Sequence, residues 1–300
     1  MKRSSPAILR RSIDRYRELW MIFKTNKWGL AGLIMLIIIT AMAVFANYIA
    51  PYDPNSSTGP SFQPPSREHL LGTDDMGHDI FSQLVYGARI SLFVGFLSAI
   101  FGTLIGVLVG LVAGWAGGAV DNVLMRFTDI WLSLPTLLFT IFLVAIIIRS
   151  SSYPVIYAII LAIALTSWPS VARLIRSSVL SIKERPYIDA VKALGASSIR
   201  IMFRHILPNT SSLIVAEIVY RASYAMLTEA SLSFLGLGDP NTISWGTMLY
   251  YASARYAVVL GYWWWFIPPG VMISVTVLSV MLVGMALEEY FNPRLRKRVL

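Results

Sequence analysis

Apolar residues fall along this chain in long blocks, without the alternation of half-buried strands or the one-sided stripes of surface helices. Six blocks, roughly 30–50, 90–113, 120–148, 155–175, 211–235 and 266–287, are each about as long as a helix that crosses a bilayer. They predict an all-α polytopic membrane protein with six transmembrane helices. The third block is long for a simple crossing and is expected to begin in the interface. An even number of crossings places both termini on one side.

The polar segments between the blocks divide by charge. Residues 1–28 form a basic leader with Lys2, Arg3, Arg10, Arg11, Arg15, Arg17, Lys24 and Lys27. Its Tyr16, Leu19, Trp20 and Phe23 predict an amphipathic helix along the inner leaflet, with a disordered tail as the alternative. The segment after the fourth block carries Lys183, Arg185, Lys192, Arg200 and Arg204, and the tail 291–300 carries Arg294, Arg296, Lys297 and Arg298. The opposite loops hold Arg67, Arg149 and Arg255. By the positive-inside rule, leader, middle segment and tail are cytoplasmic. The expected organisation is a leader (1–28), a first transmembrane helix (29–50), an extracytoplasmic loop (51–86), a core of five transmembrane helices (87–290) and the tail.

The first half of the 51–86 loop is rich in Pro, Ser, Gly and Asp and reads as irregular. "LLGTDDMGHDIFSQLVYGARISL" turns helical after Asp75, with Asp74 or Asp75 as the candidate cap and an interfacial helix behind it. Asp74, Asp75 and Asp79 do not have the EF-hand spacing.

Composition sharpens this picture. The chain of 300 residues is 56% hydrophobic and 14% charged, far below the quarter or so of a soluble domain. Its net charge of +9 is spread between the apolar blocks, which argues for lipid headgroups over nucleic acid as its partner. With no cysteine, disulfides, thiolate nucleophiles and cysteine-based metal sites are excluded. His69, His78 and His205 form no ligand-spaced set, so no metal site is expected.

Within the second block, Ser98, Gly102, Gly106, Gly110 and Gly114 recur every fourth residue. Such a strip of small side chains lets another helix approach closely inside lipid. The fifth block contains Glu217, Arg221 and Glu229. Glu217 and Arg221, four apart, are placed to pair. Glu217 and Arg221 either line a solute pathway or form a structural ion pair near the cytoplasmic end, and Glu229 is expected on the pathway or in a helix-packing hydrogen bond next to it. Asp129 is expected to be neutralised by Arg126. "YWWWFIPPG", residues 262–270, reads as an interfacial aromatic belt, with Pro268 and Pro269 in a first helical turn.

One polar segment remains, "PYIDAVKALGASSIRIMFRHILPN", residues 186–209. Ile188, Val191 and Leu194 make one apolar stripe. Gly195 is a helix stop, Ser197 or Ser198 a cap, and Ile199, Met202, Phe203 and Ile206 a second apolar face ended by Pro208. Two short helices, half apolar and half charged, predict a docking element.

This segment resembles the EAA loop of ABC importer permeases (Glu-Ala-Ala, three residues, Gly, about nine residues, Ile-x-Leu-Pro). Here it reads Asp189-Ala190-Val191, Gly195 and His205-Ile206-Leu207-Pro208, with Asp for Glu, Val for the second Ala and His for Ile. "RHILPN", "WPSVARLIRSSVLSIKERPYIDAVKALGAS", "EASLSFLGLGDP" with "SWGTML", and "FNPRLRKR" are similar to the C-type permease of the dipeptide/oligopeptide branch. The resemblance covers nearly the whole chain beyond the leader.

It implies a type I ABC importer permease fold in a prokaryotic inner or plasma membrane, with the EAA loop at 181–210 as cytoplasmic coupling helices. The implied partners are a second homologous permease, two ATPase subunits and an extracytoplasmic substrate-binding protein. Asp189, Ala190, Gly195, Arg200, Arg204, His205 and Pro208 would contact or couple to an ATPase. ATP and Mg would be bound by those partner subunits. This chain has no Walker A pattern, so it is expected to bind no cofactor and to be no enzyme. The expected solutes are dipeptides or oligopeptides, with oligosaccharides or nickel chelates as alternatives. A proton-coupled secondary transporter using Glu217 or Glu229 is the competing class.

Overall fold

A computed structural model of the chain describes residues 26–150 and 154–291. The expected amphipathic leader, apart from its last residues, and the basic tail from residue 292 lie outside them. Within the described residues the architecture is helical, and the only β pairing is two isolated bridges, Ser57 with His78 and Thr73 with Asp79.

Helix α1, Lys27–Val44, is capped by Asn26, whose side chain accepts from the Gly29 N–H at 2.9 Å. A short turn, α2 (Ala46–Ile49), follows. Helix α3 runs unbroken over Ile80–Ala116, 37 residues and about 55 Å. The expected interfacial helix and second crossing are therefore one element. Neither Asp74 nor Asp75 caps it. Asp79 does, accepting from the Ser82 N–H at 2.7 Å. Asp74 instead closes the preceding loop, accepting from the N–H groups of Met76 and His78.

The third apolar block is two helices, α4 (Gly118–Ser133) and α5 (Thr136–Ser150), bent by 95° at Leu134–Pro135. Proline has no N–H to donate and disfavours helical backbone in the residue before it, so the chain breaks there. Helix α6, Val155–Lys183, crosses as one rod. Two short elements follow, α7 (Pro186–Ala193) and α8 (Ser198–Ile201). A π-helical turn, Met202–Ile206, leads without a break into α9, Leu207–Leu232. A second π turn, Ser233–Leu237, precedes α10 (Trp245–Ala254), and α11 (Trp263–Phe291) closes the described chain.

Pro208 does not end a helix, as its sequence context predicted. It lies directly after the π turn, inside a helical run that continues from Ser198 into α9. Pro268 and Pro269 lie inside α11, not in its first turn, because the helix already begins at Trp263. Trp265 is buried among Phe62, Tyr262 and their neighbours, so of the aromatic run it is Trp263 that keeps the exposure of an interfacial anchor.

Among the described residues four helices, α1, α3, α6 and α11, are long and apolar enough to cross a membrane, and the bent α4–α5 pair makes five. Helix α9, the expected fifth of six crossings, stands outside that set; it carries Glu217, Arg221 and Glu229.

Helix α3 is the centre of the bundle and packs along both α6 and α9, while α11 packs on α9, α1 and α10. The small-residue strip explains the closest contact. A methyl group placed on Gly106 would lie 2.6 Å from Val171 Cβ, and one on Gly110 only 2.5 Å from the Ala172 carbonyl oxygen. Ser98 is fully buried on the same helix. Gly102 and Gly114 meet Ser167 and Val179, so the strip lies against α6 from Gly102 to Gly114. Dispersion contacts at this distance hold helices together where lipid removes the usual hydrophobic drive.

Candidate functional site

The segment expected to dock is fixed to the bundle by three isoleucines. Ile188, Ile201 and Ile206 are buried in one cluster with Val107 and Leu111 of α3 and Val171 and Ile175 of α6. Trp115, at the end of α3, provides a second fixture. Its carbonyl accepts from Lys183 Nζ at 2.6 Å, and the ammonium groups of Lys183 and Lys192 lie 5.5 and 5.7 Å from its ring centre. No periodicity in the sequence marks Trp115 for this role, because its partners arrive from 68 and more residues away.

The turn between α7 and α8 rests on Gly195, at φ +80, a conformation that disfavours side chains with a Cβ. Nothing lies within 4 Å of where its Cβ would be, so the glycine is needed for backbone conformation, not for space. Ser197 caps α8. The two expected apolar stripes are only partly inward. Ile188 and Ile206 are buried, but Leu194 is 87% exposed, and Ile199 and Phe203 also point outward. The turn at Gly195 carries Leu194 off its stripe, and Ile201 takes the inward place expected of Ile199. Asp189, paired with Lys192 at 2.9 Å, lies exposed beside Ala190, and Arg200, Arg204 and Pro208 are exposed as well. His205 is half-buried, and its carbonyl accepts from Asn209 Nδ2 at 2.6 Å. The element therefore presents apolar and basic groups together on one end of the bundle.

Polar groups inside the helices fall into separate sets. Arg221 Nε donates to Glu217 at 3.2 Å, as the spacing predicted, and both are largely buried. Glu229 is not near them. It is 2% exposed and accepts from Ser233 Oγ and Ser244 Oγ at 2.8 Å and from Ser91 Oγ at 3.5 Å. One carboxylate thus joins α3, α9, the second π turn and the cap of α10. Asp129 pairs with Arg173 of α6, not with Arg126, and Asp121 accepts two bonds of 2.5 Å from Arg176.

At the bundle end opposite α7 and α8, loop 51–79 is tied by buried polar pairs. His69 Nδ1 lies 2.9 Å from Asp79, His78 Nδ1 lies 2.8 Å from Asp74, and Gln83 Nε2 donates to Asp74 at 2.9 Å. Trp245 Nε1 donates to the Leu84 carbonyl and seats α10 on α3. A cleft of about 200 Å³ opens between this loop and α10, and Arg255 reaches across to Asp75 at 2.7 Å. Among the described residues no cluster of three His, Cys, Asp or Glu could hold a metal ion.

Comparison with known proteins bears on what such an arrangement serves. Residues 15–65 match the N-terminal TM domain of oligopeptide transport permease C. The oligopeptide transport system permease protein OppC of Bacillus subtilis is 36% identical over 292 residues, 97% of this chain and 93% of its own length. The dipeptide transport system permease protein DppC of Escherichia coli is 40% identical over 289 residues, 94% of each chain. The inward-facing MetNI methionine ABC transporter aligns with a TM-score of 0.48 at 20% identity, covering 65% of this chain and 96% of that one. Residues 106–297 match the binding-protein-dependent transport system inner membrane component, and the chain belongs to that family.

Proposed function

We propose that this chain forms half of the translocation pathway of an ATP-driven importer for dipeptides or oligopeptides. The observation that carries the reading is near-full-length similarity, 36% and 40% identity, to permeases named for oligopeptides and dipeptides. In this reading a second, related permease completes the pathway. A substrate-binding protein delivers solute to the loop 51–79 face, and two separate ATPase subunits hydrolyse ATP. The bundle end with α7 and α8 faces the cytoplasm, as its basic residues require, and both termini lie on that side. Helix α9 is then the sixth crossing, its charges satisfied inside the bundle by Arg221 with Glu217 and by the serines around Glu229.

The docking segment supports an ATPase contact on physical grounds. Leu194, Ile199 and Phe203 are exposed apolar groups on a rigidly seated element, flanked by Arg200 and Arg204. Exposed apolar area rimmed by charge marks a protein contact. Movement of an ATPase against this element would reach the bundle through the buried Ile188, Ile201 and Ile206.

The deciding experiment reconstitutes the chain with its second permease, ATPases and binding protein in liposomes, and follows uptake of a labelled dipeptide and oligopeptide. ATP-dependent uptake, insensitive to uncouplers, is expected. Uptake without ATPases, driven by a proton gradient, would overturn the reading.

A further inference from the structure

Helix α4 has three faces. Asp121 and Thr128 are buried. Val123, Phe127, Ile130 and Leu134 are exposed and apolar. Asn122, Arg126, Asp129 and Ser133, spaced at i, i+4, i+7 and i+11, are exposed and polar. Residues so spaced share one side of a helix, and the apolar set lies one residue, about 100°, further round. Asp129 stands within the polar stripe, paired with Arg173 of α6, and the two side chains are 58% and 51% exposed.

Such a stripe is expensive against acyl chains, where an ionised side chain costs about 3 kcal/mol on insertion scales. Arg173 lies four residues past Pro169, the midpoint of Val155–Lys183, or about 6 Å along the axis. The break at Leu134–Pro135 closes the stripe at its far end, and both residues at the break are exposed. Interrupted backbone at membrane depth is tolerated where it lines water or is covered by protein. A close-packed partner helix would favour small residues, as on the α3 strip, and this face offers Arg, Asp and Asn instead.

We propose that the polar stripe of α4, with Arg173, lines the half of the solute path nearest α7 and α8, and that the Asp129–Arg173 pair receives the charged groups of a zwitterionic solute. The pair offers one partner for each charge: the carboxylate of Asp129 accepts from a solute ammonium, and the guanidinium of Arg173 donates to a solute carboxylate. A zwitterion exchanges with the pair at no change in net charge. This assignment rests on the importer reading above.

The chain has no cysteine, so one introduced thiol on it reports one position. The complete importer in liposomes is treated with a membrane-impermeant, charged methanethiosulfonate, and the mass shift of this chain is followed. Asn122→Cys and Ser133→Cys are expected to react about tenfold faster than Val123→Cys and Phe127→Cys, whose face meets lipid, and to be protected by dialanine during turnover. Equal rates on the two stripes would overturn the proposal. So would fast labelling that dialanine leaves unchanged, since that describes an outer surface. Asp129→Asn is expected to lower the maximal rate of dialanine uptake about tenfold while Ser133→Cys stays reactive; unchanged uptake would remove the role of the pair. Failure of the unmodified importer to take up any peptide sinks the functional reading instead, and the labelling contrast still decides whether the stripe meets water.

Discussion

The two ends of the bundle are built on different principles. At the loop 51–79 end, buried polar groups are paired with one another, His69 with Asp79, His78 and Gln83 with Asp74, three serines with Glu229, and Gln63 Oε1 and Trp264 Nε1 are the buried exceptions. At the opposite end, three isoleucines anchor α7 and α8 from within, while Leu194, Ile199 and Phe203 face outward. Buried polar networks fix one geometry, because any displacement leaves a donor or acceptor without its partner. An exposed apolar rim on an apolar anchor gains from a partner that covers it. One end is therefore held mainly by polar pairs within the single chain, and the other leaves apolar surface exposed.

Several substitutions break or sharpen that contrast. Glu229→Ala removes the acceptor of three buried hydroxyls, and is expected to cost about 3 kcal/mol, read as a lower unfolding midpoint in detergent. A midpoint equal to that of the unchanged protein would mean the network contributes nothing. Asp79→Ala removes the α3 cap and strands His69, with an expected loss of about 2 kcal/mol at the same end. At the other end the balance reverses. Gly195→Leu forces a side chain into the left-handed region at about 1–2 kcal/mol. Membrane insertion should survive, and co-purification of the ATPase and ATP-driven uptake should fall to background; full uptake would remove Gly195 from coupling. Leu194→Ser is expected to change the stability of the chain alone by less than about 0.5 kcal/mol, since its side chain is mostly exposed. It should weaken ATPase binding by about tenfold if that group is buried in the complex. A stability loss as large as that of Asp79→Ala would show that Leu194 belongs to the bundle.

What the sequence reveals depends on how far apart the interacting residues are. The strip from Ser98 to Gly114 is readable because its period is local and its chemistry has one use inside lipid. Gly195 and the cap at Ser197 are readable for the same reason. Glu217 with Arg221 needs only one turn of helix. Asp129 shows the limit: Arg126 is nearest in sequence, but the partner is Arg173, 44 residues on. Glu229 finds Ser91 at a separation of 138 residues. The sequence points to Asp74 or Asp75 as the cap of α3, and the fold around His69 makes it Asp79. The block of α9 is legible as apolar, yet α9 is the helix whose charges need the rest of the bundle.

The π turn at Met202–Ile206 joins the docking element to α9 with no intervening loop. Helical geometry therefore runs from Ser198 to Leu232 like a crankshaft, with no slack to absorb torque. Deleting one residue from that turn would rotate the helix beyond it by about 100°, swinging Glu229 away from Ser91 of α3 although neither has been touched. The angular phase of the shaft, set by five residues at one end, is thus fastened by a carboxylate at the other.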